Sequence, residues 1–92
     1  MQLNEFVDEV TALRPGETLV YHVGHLGQDR EFNEDLSRVA SKALLFGTKL
    51  GVPVMREGRV TGVDLAQLTQ KKIKCGFEYR LTRNRQQGKY FK

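Results

Sequence analysis

A chain of 92 residues, 39% hydrophobic and 28% charged, can bury one modest core but not two, and its composition excludes wholesale disorder. Its apolar runs fall far short of the roughly 18–20 residues that cross a bilayer, so no membrane partner is expected. The formal charge of +4 is unevenly placed: residues 71–92 hold eight cations against the single acid Glu78, a net +7, whereas residues 1–70 net −3.

The first predicted element is a helix over residues 3–13. Leu3, Phe6, Val7, Val10 and Leu13 form one apolar stripe at helical spacing. Glu5, Asp8 and Glu9 lie on the other side, where acids near the N-terminus suit the helix dipole. Arg14-Pro15-Gly16 ends it. Thr18 to Val23 then reads as a strand, β-branched and aromatic. Leu19, Tyr21 and Val23 fall on one face and Val20 and His22 on the other, and bulk on both faces predicts an inner strand. Gly24-His25-Leu26-Gly27 breaks it.

A longer helix is expected from Asp29, a cap for exposed backbone N–H groups, through Phe32, Leu36, Val39, Ala40, Ala43, Phe46 and Leu50 as its buried stripe. Gly47 lies inside that pattern and can end it early. Residues 51–64 read as two short apolar runs around Arg56-Glu57-Gly58-Arg59, either a hairpin tip or a plain loop. Leu65 to Ile73 fits a short helix by the spacing of Leu65 and Leu68, or a strand over 66–73, which is the preferred reading. Phe77, Tyr79 and Leu81 alternate with Glu78, Arg80 and Thr82, so 77–83 is a half-buried strand. Lys74-Cys75-Gly76 closes the pair into an antiparallel hairpin. Residues 1–84 form one expected globular domain, and 85–92 a basic, frayed tail.

Helix, strand, long helix and terminal hairpin is close to the order of a winged-helix domain. The expected fold class is therefore α+β, winged-helix-like, with two helices packed on a small antiparallel sheet that ends in a basic hairpin. A separate third helix, where a recognition helix belongs, is missing from this order. The predicted 29–47 helix reads DNA poorly, because Glu31, Glu34 and Asp35 on its first turns would face phosphates of like charge.

The segment Gly16-Glu17-Thr18-Leu19-Val20-Tyr21-His22-Val23-Gly24-His25-Leu26, followed by Asp29-Arg30, resembles small proteins encoded by bacteriophages and prophages. In those, a Tyr-His-x-Gly strand precedes a helix, and Leu68-Thr69-Gln70-Lys71-Lys72 and Tyr79-Arg80 are similar to their closing strands. The resemblance spans residues 16–83, although residues 51–64 are longer than the pattern. It implies a phage context and supplies no activity. The lone cysteine, Cys75, suits a reducing compartment, and Met1-Gln2-Leu3-Asn4-Glu5 has no leader character. Cytoplasm is expected, that of the host for a phage product.

No catalytic set stands out, so no enzyme activity, cofactor or metal is expected. His22 and His25 lie three apart, but on a strand entering a glycine turn they point differently and read as structural or surface residues, with His22 hydrogen-bonded within the sheet. Cys75 beside Lys72 and Lys74 has no second cysteine and reads as a spectator thiol. Gly24 and Gly27 precede a helix, but Asp29, Glu31 and Glu34 would repel a phosphate there. Glu31, Glu34 and Asp35 read as a solvated helix start rather than a Mg²⁺ site.

The basic hairpin is the remaining candidate. Lys71, Lys72, Lys74, Arg80, Arg83, Arg85 and Lys89 are the expected nucleic-acid-binding residues, with Lys72 and Arg80 on one surface of the ribbon. Four or five phosphate contacts would give a log–log salt slope of about −4. The ranking that follows is a regulatory protein binding DNA or RNA first, a module binding a host protein second, and an enzyme third. The amphipathic first helix offers a homodimer face.

Overall fold

A computed structural model describes residues 1–84, the side chains of Lys49 and Leu50 excepted. The order is α1 (Leu3–Ala12), β1 (Thr18–Gly24), α2 (Leu26–Asp29), α3 (Glu34–Leu45), β2 (Val52–Arg56), β3 (Arg59–Asp64), β4 (Ala66–Ile73) and β5 (Gly76–Arg83). It is a mixed α+β fold with two antiparallel sheets, ordered β1-β5-β4 and β2-β3. Among the described residues no helix is long and apolar enough to cross a membrane.

The α1 stripe folds as its spacing dictates. Phe6 and Val10 are fully buried, and Val7 and Leu13 pack against the same cluster. Glu5 accepts a hydrogen bond from the Gln2 N–H at 3.3 Å, closing the first turn. Val39, Ala43 and Phe46 meet α1 from the α3 side, while Val52, Ala66 and Leu81 complete the core from the two sheets. The stripe expected as a homodimer face is thus spent on the chain's own interior.

The long helix expected from Asp29 is broken in two. Arg30 to Asn33 leave the helical path, and Asn33 caps α3 by accepting from the Leu36 N–H at 3.0 Å. Asp29 caps nothing in α3. Its carboxylate instead accepts from the His25 N–H at 3.0 Å and holds the turn into α2. Phe32, expected in the buried stripe, falls in the break and is 90% exposed. At its far end α3 widens into a π turn over Phe46–Leu50. Gly47 lies there against β4, where a Cβ would stand 2.8 Å from the Leu68 Cγ, so its missing side chain lets the strand close on the helix.

Residues 52–64 resolve as the hairpin β2–β3, with Glu57 at φ 52° in the two-residue turn. The strand reading of 66–73 holds, as does the hairpin with 76–83. The inner strand is β5, however, and β1 lies at a sheet edge. A bulge at Tyr21 explains the bulk on both faces of β1. It brings Tyr21 and His22 together opposite Tyr79 on the helix side, while Val20 and Val23 face outward at 41% and 54% exposure.

Candidate functional site

Register decides where each basic residue of the hairpin goes. Paired residues of an antiparallel ladder share a face, and neighbours along a strand alternate. The pairs Leu68↔Leu81, Gln70↔Tyr79 and Lys72↔Phe77 therefore look toward the helices, whereas Thr69↔Arg80 and Lys71↔Glu78 look away from them. Lys72 and Arg80, expected on one surface, lie on opposite faces. The outward partner of Arg80 is Lys71, with Glu78 between them.

Arg83 is withdrawn from the surface altogether. It pairs with Ala66 on the helix side and is 6% exposed, bonded through Nε to the Asp64 Oδ2 at 2.8 Å. Its Nη1 donates to the carbonyls of Thr11, in the last turn of α1, and of Leu13, its C-cap, at 3.0 and 2.8 Å. A guanidinium at that end satisfies groups the helix leaves open and faces the negative end of its dipole. Arg83 is thus a structural tie among α1, β3 and β5, with its guanidinium committed to partners within the chain. Arg80 is half-committed as well, with Nε bonded to the Glu78 Oε1 at 3.0 Å. Arg85 and Lys89 lie outside the described residues.

Lys71, Lys72 and Lys74 remain. All three are exposed, none makes an ion pair with another described residue, and they stand within four positions around the end of the β4–β5 hairpin. Lys71 points to one face, Lys72 to the other, and Lys74 sits in the turn beside the exposed Cys75. The charge forms a knob at the ribbon's end.

The face that carries Lys72 also carries rings. Phe77 and Tyr79 stand with centroids 6.2 Å apart, Tyr21 lies 6.5 Å and His22 6.0 Å from Tyr79, and His25 meets Phe77 edge-on at 6.2 Å. A hollow of about 320 Å³ opens beside them, lined by Tyr21, Leu26, Leu68, Thr69, Gln70 and Tyr79. The outward face is different in kind: Thr18, Val20 and Val23 of β1, Glu78, Arg80 and Thr82 of β5, and Gln67, Thr69 and Lys71 of β4 offer no aromatic ring.

This end is braced by a side-chain clasp. The His22 Nε2 and Asp29 Oδ2 are 2.8 Å apart, and the Tyr79 hydroxyl accepts from the Leu26 N–H at 3.1 Å. The hydrogen bond to His22, reinforced by the His25 N–H, holds the Asp29 carboxyl below its usual range. Burial, with Tyr79 adding to it, pushes the Tyr21 phenol up. Gly24 makes the clasp possible: at φ 137° its added Cβ would lie 2.6 Å from the Asp29 Oδ2. His22 thus sits in the sheet as a hydrogen-bonded residue, but its partner is Asp29 of α2 rather than a group of the sheet. Among the described residues no three His, Cys, Asp or Glu side chains gather to hold a metal.

Sequence reasoning missed the aromatic row because it read Tyr21 and the pair Phe77 and Tyr79 on separate strands, without the register that sets them side by side. The alternation 77, 79, 81, 83 already placed Arg83 on the buried side, a signal present in the residues themselves. No protein-family model, curated protein or solved structure matches the chain.

Proposed function

We propose that the chain is a small regulatory protein, without enzymatic activity, that binds nucleic acid through the free end of its β4–β5 hairpin. The observation that carries this reading is the placement of Lys71, Lys72 and Lys74, exposed and without carboxylate partners among the described residues. Lysines of this kind contact phosphate as point charges, which gives affinity and salt dependence with little base specificity. The break before Asn33 supports a winged-helix-like arrangement, since it provides the separate third helix that the bare order of elements lacks. In this reading the hairpin acts as the wing. α3 stays off the phosphates, because Glu34 and Asp35 occupy its first turn.

The test is retention of a labelled duplex by wild type and by the Lys71→Glu/Lys72→Glu/Lys74→Glu variant. The reading expects binding by the wild type that the variant loses. Equal binding by both would overturn it.

A second reading, a module for a host protein, is favoured by Val20 and Val23 on the open outward face of the sheet. A host partner that survives nuclease treatment and is lost on Val20→Lys/Val23→Lys substitution would select this alternative.

A further inference from the structure

The helix side of the sheet changes character along its length. At the Leu81 end it is sealed by α1 and α3, with Leu81 and Phe6 both fully buried. Toward the turn α1 and α3 stop, only the single turn of α2 packs beside Tyr79, and Tyr79 and Phe77 keep part of their surface in solvent. Three kinds of group converge there: ring faces on β5, cations at Lys72 and Lys74, and the Gln70 amide opposite Tyr79.

We propose that this face takes single-stranded nucleic acid, with one base entering the hollow beside Tyr79 and Gln70, its neighbour stacking on Phe77, and the phosphates following Lys72 and Lys74. The inference rests on the nucleic-acid reading above and specifies its ligand. Unpaired bases carry exposed π-faces, and aromatic side chains beside a cationic track are the usual means of holding them. In a duplex those faces are already stacked on one another, so the rings have nothing to meet. The hollow, at about 320 Å³, lies at the small end of ligand sites and suits a single ring system. Gln70 can donate and accept at a base edge.

The platform is also held in place before anything binds. The Tyr79 hydroxyl is fixed by the Leu26 N–H, and the segment that supplies this donor is fixed by the His22–Asp29 clasp. Little side-chain freedom is then lost on binding. The outward face, with its threonines, valines and the Arg80–Glu78 pair, has no rings to stack a base, so the ligand is assigned to the helix side.

The experiment compares binding of a labelled oligothymidine and a duplex of equal length by wild type, Phe77→Leu, Tyr79→Leu and Tyr79→Phe, each checked for its thermal transition. The proposal expects Phe77→Leu and Tyr79→Leu to lose about 5- to 100-fold in oligothymidine affinity, with duplex binding unchanged and Tyr79→Phe, which keeps the ring and loses only its anchor, falling by clearly less than Tyr79→Leu. Proton spectra of the wild type give a readout that depends on no variant: the Phe77 and Tyr79 ring signals should move upfield as oligothymidine is added. Ring signals that stay in place, or equal losses on both polymers, would overturn base stacking while leaving lysine-mediated binding intact. Failure of wild type to bind either polymer would overturn both.

Discussion

Replacing Arg83 by methionine keeps the unbranched stem of the side chain and removes the guanidinium with its charge, leaving Asp64 buried at 2% exposure without its cation. Asp64 is poorly placed to tolerate this, since its Oδ1 already has no hydrogen-bond partner among the described residues. Removing one partner of a buried ion pair costs about 3–5 kcal/mol. The Thr11 and Leu13 carbonyls lose their donor at the same time. A domain of this size holds roughly 5–14 kcal/mol in all, so the variant should lose a large share of its stability. In urea, with a slope of about 1 kcal/mol/M, the midpoint should fall by about 3 M or more. The double variant Arg83→Met/Asp64→Leu removes the orphaned charge and should recover at least about 2 kcal/mol of that loss. A single variant within about 1 kcal/mol of wild type would refute the buried tie. So would a loss of nucleic-acid affinity by Arg83→Met at undiminished stability.

The Asp29 carboxyl should titrate below an ordinary aspartate in carbon NMR, and His22→Phe should move it back up. Because the folded value is depressed, the clasp contributes stability above the unfolded value near 3.8 and loses it as pH falls through the folded one. The stability difference between wild type and Asp29→Asn should therefore shrink in that acid window, and a difference independent of pH would refute it. Gly24→Ala puts a Cβ against Asp29 at φ 137° and should cost roughly 1–3 kcal/mol in thermal unfolding; a change under about 0.5 kcal/mol would contradict the close approach. Cys75, exposed in the turn, should react with a thiol reagent in the native protein, and bound oligonucleotide should slow the reaction. An unchanged rate would argue against occupancy at this end.

Much of the architecture was legible in the residues. The α1 stripe, the alternation of Phe77, Tyr79 and Leu81, and Gly76 after Lys74-Cys75 each state a local period or turn that tertiary packing then obeys. The second helix was misread because Phe32 falls in phase with Leu36 and Val39, while the stop signal is the capping preference of Asn33, one residue among several polar ones. The edge position of β1 was hidden by its bulge, since strict alternation assigns His22 and Tyr21 to opposite faces. The site was harder still. Charge counting finds eight cations in the last quarter of the chain, but only register shows that Arg83 turns inward and that Lys72 and Arg80 part company. Nothing local to Phe77 or Tyr79 says where α1 and α3 end above them.

The salt dependence of binding tests the hairpin end most directly. Three lysines in place of four or five contacts give a log–log slope of about −2.7 on duplex, or about a 40-fold loss of affinity between 50 and 200 mM salt. The Lys71→Gln/Lys72→Gln/Lys74→Gln variant should bring that slope close to zero. A slope that survives the triple substitution would place the phosphate contacts elsewhere on the molecule and contradict the account.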